Sequence, residues 1–218
     1  MFKTIIFDID GTLLNTEPIF MEAWVAAGAA LGYAIPREVL LQTRAVSIPV
    51  AMERFHFWCG EDFPYEQARK ERVRIAEETI LQTAPEQLRM PGAHALLNWL
   101  KSKGYALAAA TSTGREHTYA HLKQAELLGF FDAIVCGDMV RHGKPAPDIF
   151  LEAARLAGTA PRDCLVVGDT PADVRAANAA GMPVVLIPDQ VPATEETKAL
   201  SWKCLQGLDR LLELLQNL

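Results

Sequence analysis

The stretch Thr4-Ile5-Ile6-Phe7-Asp8-Ile9-Asp10-Gly11-Thr12 decides how this chain folds. A wholly apolar run ends in two aspartates separated by one isoleucine, and Gly-Thr follows at once. In an extended chain alternate side chains point the same way. Asp8 and Asp10 are therefore expected to present two carboxylates to one small space at the mouth of a buried strand. Like charges so placed are costly unless a cation or a shared proton relieves them.

Working outward, four more short apolar runs read as buried strands beside Thr4–Phe7: 105–110, 133–136, 164–167 and 184–187. They do not alternate apolar with polar residues, as expected of strands covered on both faces. Helical stretches lie between the later ones, at 94–103, 115–128, 147–156 and 171–180. Gly104, Gly129, Gly158 and Gly181 sit where helix C-caps belong. Strand alternating with helix predicts an α/β fold, a doubly wound parallel sheet with right-handed crossovers.

One interval breaks the rhythm. From about Asn15 to Gln87 the chain has only helical patterns, such as 19–31 and 65–81, too long for a simple connection. It reads as an inserted helical domain spanning 15–87, with the core made of 1–14 and 88–218. Residues 193–198 read as a surface loop or short helix, and 207–215 as a closing amphipathic helix.

The formal charge of −6 and pI near 5.4 argue against a nucleic-acid binder. The first apolar run is too short for a signal sequence, and no stretch approaches a membrane span. Cys59, Cys136, Cys164 and Cys204 lie far apart and read as reduced, buried thiols. A cytoplasmic protein is expected, and a monomer, since no dimerisation helix is evident.

Ligands of an open parallel sheet bind beyond the carboxyl ends of its strands. Those ends supply Asp8 and Asp10, then Thr111-Ser112-Thr113-Gly114, then Gly143-Lys144-Pro145, then Asp169 with Asp173 four residues on. Carboxylates, hydroxyls and one lysine suit a divalent cation and a phosphate together. The aspartates are hard oxygen donors of the kind Mg²⁺ takes. Thr111 can donate to phosphate oxygens, and Lys144 can neutralise phosphate and carboxylate. One aspartate can attack phosphorus while the other handles protons, with a metal making their closeness tolerable. Each element alone is weak: Asp169 and Asp173 equally suit a turn and a helix N-terminus.

In combination and order the four motifs are specific. The chain resembles the haloacid dehalogenase superfamily of phosphatases and phosphotransferases along nearly its whole length. The resemblance rests on Phe7–Leu13, Ala110–Thr113, Gly143–Asp148 and Val167–Asp173, and its helical insert resembles the cap that follows the first motif in one subclass. It implies Asp8 as nucleophile through an aspartyl-phosphate and Asp10 as acid, then base. It implies Thr111 and Ser112 at the phosphoryl group and Lys144 steadying the charge. Mg²⁺ would be held by Asp8, the Asp10 carbonyl and Asp169, with Asp173 direct or through water. The implied partner is a small phosphate ester, and closure of the cap would exclude water and select the leaving group. Arg44 is the expected cap contact, ahead of Arg54.

Dehalogenases and phosphonate hydrolases of this superfamily replace the second aspartate, so Asp10 favours phosphate-ester chemistry. The rival is β-phosphoglucomutase, whose cap His and Arg correspond to Phe20 and Ile48 here. That favours a hydrolase, and Asn15–Pro18 resembles sugar-phosphate phosphatases rather than phosphoglycolate phosphatases. A signalling receiver takes its phosphoacceptor from the third strand and lacks such an insert. A non-catalytic phosphate-binding module would normally have lost a motif residue, and none is missing. His117 and His121 read as an exposed helix face, Trp24, Trp58 and Phe55–Phe57 as cap core. Gly137–Lys144 is spaced wrongly for a P-loop.

Overall fold

The computed structural model describes residues 2–43, 46 and 48–217. Strands β1 (Thr4–Phe7), β2 (Ala106–Ala110), β3 (Ala133–Val135), β4 (Cys164–Gly168), β5 (Val184–Leu186) and β6 (Lys203–Cys204) form one parallel sheet. Its order is β3-β2-β1-β4-β5-β6, the doubly wound arrangement, with the winding reversing between β1 and β4. The strand carrying the first aspartate is thus central, and its partner across the reversal carries Asp169.

Register decides which side chains share a face. Ile6 lies opposite Ala108 on one side and Val166 on the other. These residues join Ile149 and Phe150 of α8 (Asp148–Leu156) and Val174 and Ala177 of α9 (Pro171–Ala179) in one buried cluster. Ile5, Phe7, Leu107 and Leu165 take the opposite parity and are equally buried. There α6 (Ala93–Ser102) packs on β2 and against α11 (Leu208–Gln216). A sheet buried on both faces needs continuous apolar strands, which explains the absence of alternation.

Some elements differ from the sequence reading. The two residues of β6 are both exposed and carry no apolar run to betray a strand. Helix α7 covers Arg115–Gln124 rather than extending to Leu128. Gly129 is no cap: Glu126 takes the left-handed turn at φ +57° instead, and the Leu127 amide donates to the Leu122 carbonyl. His121 is buried, not exposed, because it follows Thr118 by three residues on the inward stripe of α7. Among the cysteines, Cys136 and Cys164 are buried, Cys59 is half-buried and Cys204 is exposed beside the open sheet edge. Residues 195–200 form a short helix, α10, capped by Thr194, whose hydroxyl accepts from the Thr197 amide.

The chain divides into two compact units, Met1–Asn15 with Ala84–Leu218, and Thr16–Thr83. The turn α5 (Pro85–Leu88) belongs to the first, since Leu88 is buried and its carbonyl accepts from the Asn15 amide. The second unit is all helical: α1 (Glu17–Ala30), α2 (Arg37–Gln42), α3 (Ile48–Cys59) and α4 (Tyr65–Gln82). Its core is aromatic. Trp24 packs on Phe55 at 4.5 Å between ring centroids, and Phe55 also meets Phe63 and Tyr65. Phe57 and Trp58 are not in this core; Phe57 is 82% exposed. Ala51, Phe55 and Cys59 define the inward face of α3 at helical spacing, which turns the intervening aromatics outward.

No helix among the described residues is long and apolar enough to cross a membrane.

Candidate active site

Asp8 leaves β1 still bonded to the sheet, its amide donating to the Val167 carbonyl at 2.8 Å. It shares the parity of Ile6, so its carboxylate emerges on the face covered by α8 and α9. The loop ahead of α8 brings Lys144 there. Its Nζ donates to Asp8 Oδ1 at 2.5 Å and to the Ala110 carbonyl at 2.8 Å, and lies 2.7 Å from Asp173 Oδ1. The ammonium sits 5.0 Å from the centre of the Phe150 ring. Only 5% of the Lys144 side chain is exposed, so the group is held by its partners and not by water.

Asp173 lies in the first turn of α9, where the helix dipole favours a carboxylate. Its Oδ2 accepts from the Thr170 amide at 3.0 Å and from the Thr170 hydroxyl at 2.5 Å, while its own amide donates back to Thr170 Oγ1. This capping box fixes one edge of the carboxylate and leaves Oδ1 against Lys144. Asp173 is thus both a helix cap and a partner of the lysine.

Asp169 follows β4 and is buried; its Oδ1 accepts from Thr12 Oγ1 at 3.1 Å. Gly11 has to be glycine here. Its φ is +82°, and a β-carbon would stand 2.6 Å from Asp169 Oδ2. Asp8, Asp169 and Asp173 offer carboxylate oxygens that all lie within 4.8 Å of one another. Three carboxylates against one ammonium leave this buried cluster with excess negative charge. Burial, together with Asp173, pushes the Asp8 carboxyl up to about 7 despite the opposing pull of Lys144. Burial works against the Lys144 charge too, but Asp173 and Asp8 outweigh it and hold the ammonium above its usual range. Hard oxygen donors with surplus negative charge fit a divalent cation.

The chain turns after Asp10: the Leu13 and Leu14 amides donate to the Ile9 carbonyl, and the Gly11 amide donates to the Leu14 carbonyl. Asp10 takes hydroxyl partners in the loop after the neighbouring strand β2. Thr113 Oγ1 donates to Asp10 Oδ2 at 2.7 Å, and Thr111 Oγ1 lies 3.4 Å from the same oxygen. The two carboxylates have different partners, ammonium for one and hydroxyls for the other, and Asp10 still adds to the upward push on the Asp8 carboxyl.

The structure brings Asp8, Lys144, Asp169 and Asp173 together, with Asp10 and Thr111 linked at the neighbouring strand end. Ser112 is exposed in the loop after β2. Arg44 lies outside the described residues, and Arg54 is half-buried and donates to the Gln42 carbonyl within the helical unit. Sequence reasoning gave no role to Thr12 or Thr113, although both stand in its quoted motifs. Thr113 repeats the hydroxyl of Thr111 two residues on, the spacing that signals a shared face. The Ala110 carbonyl leaves no sequence signal.

Residues 2–181 match the haloacid dehalogenase-like hydrolase family. Hexitol phosphatase A of Escherichia coli K12 is 35% identical over 199 residues, covering 89% of this chain and 88% of that protein. The β-phosphoglucomutase of Bacillus subtilis is 29% identical, covering 83% and 80%. The crystal structure of CbbY from Rhodobacter sphaeroides in complex with phosphate superposes with a TM-score of 0.79 at 27% identity, covering 97% and 96%. With a match this long, and with four strand ends converging on three aspartates and a buried lysine, the chain belongs to the haloacid dehalogenase-like hydrolases.

Proposed function

We propose that this chain is a Mg²⁺-dependent phosphatase of a small phosphate monoester of the sugar-phosphate class, working through an aspartyl-phosphate on Asp8. The observation that carries this reading is the Asp8–Lys144–Asp173 cluster with Asp169 beside it. Asp8, Asp169 and the Asp10 carbonyl would hold the metal, with Asp173 as a further donor. When bound, the metal supplies positive charge that keeps Asp8 ionised and offsets the phosphate oxygens.

An Asp8 oxygen attacks phosphorus, the ester P–O bond breaks, and its electron pair stays on the leaving oxygen. Asp10 gives that oxygen its proton, and the alcohol departs. Water then attacks the phosphorus of the aspartyl-phosphate as Asp10 takes a water proton, and the P–O bond to Asp8 breaks to restore the carboxylate. Lys144, fixed by Asp8, Asp173 and the Ala110 carbonyl, offsets charge on the transferring group. Thr111 and Ser112 donate to its oxygens. Leaving-group choice falls to the helical unit, with Arg44 as the substrate contact. The similarity of this chain to hexitol phosphatase A and to a β-phosphoglucomutase supports a phosphorylated sugar or polyol in either case. Phe20 and Ile48, standing where the mutase resemblance expects His and Arg, favour water as the acceptor.

The test is phosphate release from a panel of sugar, polyol and glycolate phosphates, with Mg²⁺, with EDTA, and with Asp8→Asn. Release that needs both metal and Asp8 is the expected result. Sugar phosphate isomerised only after a bisphosphate primer is added would instead make the chain a mutase. Silence in both assays would leave a binding module.

A further inference from the structure

The two threonines after β2 are not equivalent. Thr111 Oγ1 accepts from the Thr113 amide at 3.1 Å and stands 3.4 Å from Asp10 Oδ2, beyond the ordinary length of an O–H···O bond. Thr113 Oγ1 donates to that same oxygen at 2.7 Å, the length of a charge-assisted bond. The loop that aims Thr113 is held from three directions. The Thr111 amide donates to the Val135 carbonyl at 3.1 Å. The Thr113 carbonyl accepts from the Gly137 amide at 3.0 Å, and the next carbonyl, that of Gly114, accepts from the Thr118 hydroxyl at 2.9 Å. Gly137 packs so closely that a β-carbon there would overlap the Ser112 carbonyl oxygen. The Thr113 hydroxyl is therefore set by the backbone of two loops and not by its own rotamer choice alone.

We propose that Thr113 is a positioning residue for Asp10: it anchors the carboxyl group by its Oδ2 edge and so fixes how that group meets the leaving ester oxygen. The hydroxyl of Thr111 is then the one left to serve a phosphoryl oxygen, and the Thr-Ser-Thr run divides its hydroxyls between acid and phosphate. The inference rests on the reading of Asp10 as the acid in phosphate-ester cleavage. In that step an Asp8 oxygen bonds to phosphorus as the ester P–O bond breaks, its electron pair stays on the leaving oxygen, and the Asp10 proton moves to it. Asp10 is left as a carboxylate still bonded to Thr113.

An acid matters to a poor leaving group and little to a good one. The experiment therefore compares the aliphatic sugar or polyol phosphate that the wild type cleaves best with p-nitrophenyl phosphate. First-turnover release of the leaving group is followed with enzyme in excess and Mg²⁺ present. Thr113→Val removes the hydroxyl and keeps the shape; Thr113→Ser keeps the hydroxyl. We expect Thr113→Val to slow the aliphatic ester by about 10- to 100-fold, the worth of a hydrogen bond to a charged group. Release of p-nitrophenolate in the same turnover should change by less than about 3-fold, and Thr113→Ser should recover most of the loss. Equal losses on both esters, no loss on either, or failure of serine to rescue would overturn the proposal. Should Thr113→Val unfold, Thr113→Ala is measured against Thr113→Ser on the same two esters and judged by the same outcomes. A wild type that cleaves neither ester would count against the phosphatase reading, and with it the premise of this one.

Discussion

The α/β unit and the helical unit are built from the same alphabet but constrain it differently. In the first, strand register fixes side chains in rows: Ile6 sits against Ala108 and Val166, and Asp8 follows on the same parity toward Lys144. In the second, no ladder joins the described residues, and Trp24, Phe55, Phe63 and Tyr65 find one another across three helices and the loop before α4. A sheet turns sequence position into direction almost by rule. A small helical unit does so only through the rotation of each helix, which depends on its neighbours.

The largest expected effect tests the rule-bound region. Asp8→Asn keeps the shape of the side chain and its place at the end of β1, yet removes the proposed nucleophile. Phosphate release should fall by about 10⁵-fold or more, while the circular dichroism spectrum is unchanged. A fall under about tenfold, within reach of one altered polar contact, would mean that strand parity aimed the wrong carboxylate.

Next come the two cores. Phe55 and Phe150 are both fully buried, one in each unit. Replacing either with alanine should cost about 3–5 kcal/mol. If the cores are separate, Phe55→Ala should speed amide exchange across 16–83 and leave β1, β2 and β4 protected. Phe150→Ala should do the reverse, and it should also loosen Lys144, whose ammonium lies over that ring. Exchange that rises equally in both units with either substitution would erase the distinction between them.

What the sequence made legible follows the same divide. Continuous apolar runs placed the first five strands, because burial on both faces permits nothing else. The aspartates, threonine and lysine of the site were legible because each stands at a strand end or in the loop beyond it. Helix α3 was not, since Phe57 and Trp58 interrupt its apolar stripe with exposed rings. Nor could alternation predict the turn that follows Asp10, because its closing on the Ile9 carbonyl depends on Gly11 and its fit beneath Asp169. The role of Thr113 needed the Gly137 loop, which lies far along the chain.

A smaller effect sharpens the electrostatic side of the comparison. The helical unit has surface ion pairs such as Arg74 with Glu71 and Glu78, and these are screened by water and salt. In the α/β unit, Asp8 is raised to about 7, chiefly by burial, against about 3.9 in an unfolded chain. A raised group stabilises the fold fully below its unfolded pKa, and that contribution is lost as pH climbs through the folded value. Metal-free wild type should therefore lose stability relative to Asp8→Asn between pH 5 and pH 8, on the order of 2 kcal/mol by urea titration. Added Mg²⁺ should recover it more at pH 8 than at pH 5. A flat difference across that range would show that Lys144 alone balances Asp8.

The smallest expected effect concerns an exception inside the legible region. Helix α7 ends with Glu126 in the left-handed conformation at φ +57°, the place where Gly is usual, while Gly129 was the residue that looked like the cap. A β-carbon there costs about 1–2 kcal/mol, and glycine gives part of that back through its greater freedom in the unfolded chain. Glu126 also approaches Arg89 at 3.3 Å, but its side chain is 68% exposed, so the pair is worth about 1 kcal/mol at most. Glu126→Ala loses the pair and keeps the strain; Glu126→Gly loses both. The glycine variant should be more stable than the alanine variant by about 0.5–1 kcal/mol in urea. If the two are equal, the left-handed turn carries no conformational cost. Gly129 was then misread as the cap because backbone preference plays no part in ending this helix.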